Sequence, residues 1–174
     1  VAFAGVVTTV MLKLDVSPAL AYPIAIGAGL VFGALTGGTA GVFITKFRIT
    51  PFIVTLALMT IWRGAAFVAT EGRPIWGLPE GFAVLARGRI AEIPIPTIIM
   101  LAVFGAAHFV LTQTRFGRYV YAVGGNVEAA RLAGIDTNRI LMQVYMISGV
   151  LASLSGILLA SRVNSGQPNA GLMY

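Results

Sequence analysis

The chain has 174 residues, of which 57% are hydrophobic and 10% charged, with a formal net charge of +6 and no cysteine. Soluble domains are about a quarter charged, and a soluble fold of this length still leaves roughly a third of its chain surface in water. A mean hydropathy of +0.89 therefore excludes an ordinary soluble domain, and the lack of cysteine excludes disulfides and thiolate metal sites.

The charges are spaced as a membrane protein spaces them. No Asp, Glu, Lys or Arg lies between Asp15 and Lys46, between Glu92 and Arg115, or between Arg139 and Arg162, and only Arg63 lies between Arg48 and Glu71. Each gap holds the roughly 20 apolar residues that a spanning helix needs. In chain order, residues 1–12 are apolar but too short to span and read as part of a helix. Lys13 to Pro18 reads as a turn. Full spans are expected at 19–45, 51–70, 94–114 and 140–161. The connections are a short one at 46–50, a loop rich in Gly and Pro at 71–93, a polar loop with helical character at 115–139, and a polar segment from Arg162 onward. No basic leader or cleavage site precedes the first apolar run.

Small residues mark how the spans pack. Gly29, Gly33, Gly37 and Gly41 recur at every fourth position of the first full span, and Ser148, Ala152, Gly156 and Ala160 do so on the last. Such ridges let helix backbones approach closely, which is how helices associate where lipid removes the hydrophobic drive.

The basic residues sit at the ends of the apolar runs, where they face headgroups and water rather than nucleic acid. Alternation puts Lys46, Arg48, Arg115, Arg118, Arg131 and Arg139 on one side of the membrane, and Lys13, Arg73, Arg87, Arg89 and Arg162 on the other. The counts lean the first side slightly toward the cytoplasm.

The most informative polar stretch runs from Tyr121 to Asp136. Asn126 suits a helix N-cap, Glu128 favours the positive end of the helix dipole, and Gly134 suits a left-handed C-terminal position. Asp136 or Thr137 then caps the next helix. The result is a short helix framed at both ends between two spans.

Here the chain resembles a known family. Glu128-Ala129-Ala130 followed by Gly134 resembles the EAA-type loop of ABC importer permeases, without the Ile-x-Leu-Pro ending that some of them carry. Arg48-Ile-Thr-Pro51, Trp62-Arg63-Gly64, Gly72-Arg73-Pro74, Arg115-Phe-Gly117-Arg118, Gly124-Gly125-Asn126 and Gln167-Pro168-Asn169, in this order, resemble the ribose-type sugar permeases of bacterial ABC importers. The resemblance covers nearly the whole chain from about Ala28.

It implies an all-α polytopic transmembrane bundle of the type II importer kind, in the bacterial inner membrane, with this chain an internal fragment of one permease domain. It also implies a cytoplasmic 115–139 loop that couples to an ATPase through Gly125, Asn126, Glu128, Ala129, Ala130, Arg131 and Gly134. The implied partners are a second permease copy, cytoplasmic ABC ATPase subunits and an external sugar-binding protein. No cofactor or metal is implied.

Candidates for a solute path are Thr55, Thr60, Arg63, Gln143, Ser148 and Asn164. Arg63 is the one charge within a span, and such charges are costly and often functional. His108 stands alone, without a carboxylate nearby in sequence. Trp62 and Trp76, with Tyr119 and Tyr121, suit membrane interfaces. Gly-xxxx-Gly-Lys-Ser/Thr, His-Glu-xx-His, Gly-x-Ser-x-Gly and paired intramembrane carboxylates are all absent from the sequence, which argues against an ATPase, a protease, a lipase and a proton-coupled carrier. The branched-chain amino-acid permeases are the alternative within ABC transport.

Overall fold

The computed structural model describes residues 1–13, 18–90 and 92–171. The helices are α1 (Ala2–Leu12), α2 (Pro18–Thr45), α3 (Pro51–Ala69), α4 (Glu80–Arg87), α5 (Ile95–Gln113), α6 (Arg115–Gly125), α7 (Val127–Leu132) and α8 (Thr137–Val163), with a two-stranded hairpin of β1 (Arg89–Ile90) and β2 (Ile93–Pro94) before α5. Four of them, α2, α3, α5 and α8, are long and apolar enough to cross a membrane. The turn expected at Lys13 to Pro18 lies largely outside the described residues, and Pro18 itself already opens α2.

Length sorts the spans. At about 1.5 Å per residue, α3 and α5, with 19 residues each, match a hydrocarbon core of about 30 Å. The 28-residue α2 and 27-residue α8 exceed it and tilt or project into water. The extra length of α8 lies partly at its start, where Asp136 caps the helix by accepting from Arg139 N–H at 3.1 Å. The span expected from residue 140 thus begins a turn earlier.

The bundle is built on α2 and α8, with α1 packed against both and α3 against α1 and α2. Gly29, Gly33, Gly37 and Gly41 are all buried and face α8. A Cβ built on Gly33 would come within 2.5 Å of the Gly149 carbonyl oxygen and 2.7 Å of the Ser153 Cβ. One on Gly37 would strike the Tyr145 carbonyl oxygen, and one on Gly41 would lie 3.1 Å from the Met142 Cα. The contact is reciprocal, because a Cβ on Gly149 would strike the Gly33 carbonyl oxygen.

The α8 seam against α2 is therefore Met142, Tyr145, Gly149, Ser153 and Ile157. It is not the row Ser148, Ala152, Gly156 and Ala160. That row turns another way: Gly156 and Ala160 lie against Val1 and Gly5, while Ser148 and Ala152 face a cavity. The reason is rotational. One small-residue row can face one neighbour only, and α8 presents two such rows to α2 and α1.

Two apolar clusters lie toward opposite ends of the bundle. At one end, Leu12, Ala21, Ala25, Leu78, Phe82, Ile157 and Ala160 pack together. At the other, Ala40, Ile44 and Val54 are joined by Leu58 and Tyr145. The first cluster corrects the reading of 71–93 as a loop. The segment carries α4, whose Phe82 is 2% exposed. The α4 helix is held over the end of α8 by Ser161 Oγ donating to the Phe82 carbonyl at 2.7 Å and Arg87 Nε donating to the Arg162 carbonyl at 3.0 Å. A paired backbone bridge, Ile75 with Gly166, ties down the rest. Eight residues are too few to show a helical period, and Pro79 at the N-cap offers no side-chain acceptor.

Helix α5 stands apart. It meets α4 and β2 at one end and α6 at the other, and none of its residues is buried.

Two predictions follow the packing. Gly33→Leu overfills the α2–α8 contact, a change that costs on the order of 1–3 kcal/mol or more, so the yield of monodisperse detergent-solubilised protein should fall sharply. Gly27→Leu, on the same helix with nothing within 4 Å, should leave that yield near the parent's. Cysteines placed near Pro79 and near Asn126 should react with membrane-impermeant reagents from opposite faces; labelling from one face would refute this topology.

Candidate functional site

Two regions bring together residues that can act: the helical corner of α6 and α7, and a cavity inside the bundle.

The corner is built by caps. The Thr114 hydroxyl accepts from Gly117 N–H at 3.2 Å at the start of α6. Gly117 is obligatory there, since a Cβ would lie 2.6 Å from the Leu111 Cα and strike the Leu111 carbonyl oxygen. The Asn126 side chain accepts from Ala129 N–H at 3.0 Å and starts α7. At its end, Gly134 sits at φ +81°, and its N–H donates to the Arg131 carbonyl while Ile135 N–H donates to that of Ala130, each at 3.0 Å. Glu128 and Arg131 form an exposed ion pair at 3.3 Å. Exposed i,i+3 pairs contribute only a few tenths of a kcal/mol, so this one adds little to the stability of α7.

Beneath the corner, Val123, Ala130 and Ile140 form a buried cluster with Phe116, Val120, Ile135, Leu141 and Val144 around them. Ala130 thus faces inward, while Glu128, Ala129 and Arg131 face out. Gly124 and Gly125 have open space where a Cβ would be. Sequence reasoning missed Leu132, which is 89% exposed at the end of α7, with Tyr121 63% exposed on α6. The only signal of such exposure in sequence is an apolar residue outside the buried period.

The cavity, of about 660 Å3, lies between α1, α2, α3 and α8. That is within the range of roughly 300–1,000 Å3 of small-molecule sites. Of the path candidates, Thr55, Arg63 and Ser148 line it. Thr60 and Gln143 are exposed elsewhere on their helices, and Asn164 is the left-handed C-cap of α8 at φ 55°. His108 lies exposed on α5, away from the cavity.

Arg162 joins Arg63 in the wall, and no acidic residue lines it among the described residues. The hydroxyls of Thr36, Thr55 and Ser155 donate to carbonyls of their own helices, which leaves their lone pairs free to accept.

One wall is aromatic. Phe32 meets Trp62 edge-on with ring centroids 4.8 Å apart, and Phe3 lies 4.9 Å from Phe32 and 5.5 Å from Trp62. Trp62, expected at a membrane interface, joins α3 to α1 and α2. Its Nε1 is buried and has no hydrogen-bond partner among the described residues, a state that costs about 1–3 kcal/mol.

The helical bundle thus combines a capped, exposed helical corner with a half-open, largely apolar cleft that carries a few hydroxyl and guanidinium groups. The profile of the family described as branched-chain amino acid transport system, permease component, matches residues 1–174, and the chain belongs to that family. It is a multi-pass inner-membrane protein.

It is 39% identical to the ribose import permease RbsC of Haemophilus influenzae, over 99% of this chain and 54% of that protein. It is 44% identical to RbsC of Escherichia coli, over 87% and 48%, and 38% identical to the L-arabinose permease AraH of Azospirillum brasilense, over 99% and 50%. The chain spans about half the length of these curated relatives. No solved structure matches it significantly.

Gly134→Val places a β-branched residue at positive φ in open space, so its effect is backbone strain of about 1–2 kcal/mol without a clash. We expect the protein still to insert and fold, with a thermal unfolding midpoint lowered by a few degrees relative to the parent, read by thermal denaturation in detergent.

Proposed function

We propose that this chain forms part of the membrane subunit of an ATP-binding-cassette importer that translocates a monosaccharide. Support comes chiefly from one observation: the relatives matched along nearly all of its length are import permeases for ribose and for L-arabinose. In this reading the 115–139 segment is cytoplasmic. The α7 helix, with Glu128, Ala129, Arg131 and Leu132 outward, docks on a separate ATPase subunit. The rigid framing by Asn126 and Gly134 suits that task, because a docking helix transmits force only if both its ends are fixed. A second permease copy completes the pore, and an external binding protein delivers the sugar. ATP hydrolysis belongs to the partner subunits.

The chemistry of the cavity fits a neutral polyol. Hydroxyl lone pairs can accept from sugar hydroxyls, while the guanidinium groups of Arg63 and Arg162 can donate to them. The absence of a lining carboxylate among the described residues disfavours a ligand with a free ammonium group, such as an amino acid. The family description alone favours the branched-chain amino-acid reading, which therefore stands as the second one.

Uptake of labelled ribose, arabinose, xylose and leucine in cells carrying the whole transporter operon separates the two. We expect saturable, ATP-dependent pentose uptake. Leucine uptake with no sugar carried would replace this reading with the second.

A further inference from the structure

We propose that the wall formed by Phe3, Phe32 and Trp62 is a sugar subsite, in which the apolar face of the monosaccharide ring packs on the aromatic cluster and the Trp62 Nε1–H donates to a sugar hydroxyl. This deepens the function proposed above and rests on it.

Three observations carry the proposal. The rings of the cluster come from three different helices, α1, α2 and α3, and all three line the cavity. A pocket wall could be closed by Leu or Val as easily as by aromatic rings. Aromatic rings add a negative π face that attracts the polarised C–H groups of a sugar. The same cavity is lined by Arg63 and Arg162, whose forked N–H donors match the oxygens of a vicinal diol as they match a carboxylate. A ring stacked on an apolar face with its rim hydroxyls bonded by fixed donors is the general solution for binding a molecule that has both.

The third observation is the indole N–H. It is closed off from solvent and has no partner among the described residues, although buried donors are almost always paired. A donor held without an acceptor is satisfied by a conformational change or by a ligand. The Nε1 surface is closed to the cavity as it is to solvent, so a sugar hydroxyl becomes its acceptor only when the indole turns toward the cavity that Trp62 lines. The subsite is thereby favoured in its occupied state, and a ligand shifts a conformational equilibrium only by such differential affinity. An apolar solute would pack on the rings but leave the donor unpaired, so the site selects for hydroxyl-bearing rings.

The test uses the complete transporter, with its binding protein and ATPase, in proteoliposomes. Labelled pentose uptake and ATP hydrolysis are measured together for the parent, Trp62→Phe and Trp62→Ala. Trp62→Phe keeps an aromatic face and loses the donor, whereas Trp62→Ala loses both.

We expect sugar moved per ATP hydrolysed to fall severalfold in Trp62→Phe and about tenfold or more in Trp62→Ala, with ATP hydrolysis still stimulated by the binding protein. If Trp62 only packs helices, uptake and hydrolysis will fall together with the amount of assembled complex. An unchanged ratio of sugar to ATP in both variants, whatever the yield, overturns the subsite. A parent complex that carries no monosaccharide at all overturns the functional reading instead, so the two failures are distinguishable.

Discussion

The close approach of α2 and α8 is the contact on which the rest of the bundle depends. Gly33 and Gly37 on one helix meet Gly149 and Ser153 on the other so tightly that a single methyl group at Gly33 or Gly149 would meet backbone oxygen. In lipid no hydrophobic force draws two apolar helices together, so dispersion between closely fitted backbones must do it. Once α2 and α8 are joined antiparallel, α1 drops into the groove they leave, against Gly156 and Ala160 of α8. The α4 helix then closes one end, pinned by the Ser161 hydroxyl donating to the Phe82 carbonyl of α4 and by Arg87 donating to the Arg162 carbonyl, which the end of α8 leaves available.

The cavity follows from the same geometry. Helix α3 attaches by Val54 near its start, to Ala40 and Ile44, and by Trp62 further along, to Phe3 and Phe32. Between these two attachments it stands off from α8, whose small residues Ser148, Gly149 and Ala152 cannot reach across. Open space in the bundle therefore arises where one row of small residues has no helix pressed against it. The row that looked like a packing ridge serves two ends: half of it packs α1 and half of it borders open space.

Buried contacts are distributed unevenly along the chain. The α6–α7 corner has its own buried cluster and caps at Thr114, Asn126 and Asp136, so it can move as a body with the start of α8. Helix α8 runs from that corner, along the cavity, to the end gripped by α4. The α5 helix, with no buried residue, presents nearly all its surface outward.

Much of this was legible in the residues alone. Uncharged runs locate the spanning helices, since each charge in hydrocarbon is costly. The side chains of Asn126 and Asp136 and the glycine at Gly134 locate the short helix and its ends, since caps are local chemistry that requires no knowledge of the fold. The four-residue glycine period shows that α2 has a neighbour at close range. What it does not show is which neighbour, or which face of it. That depends on how α8 is rotated, and α8 has two usable rows of small residues.

The α4 helix, the aromatic cluster of Phe3, Phe32 and Trp62, and the placing of Arg63 and Arg162 on one cavity were decided by tertiary structure. Each joins residues far apart in the chain, and nothing in the local sequence distinguishes a tryptophan at a membrane interface from one buried between helices. Local chemistry determined where helices start, stop and cross lipid; the fit of one helix surface on another determined what lies inside.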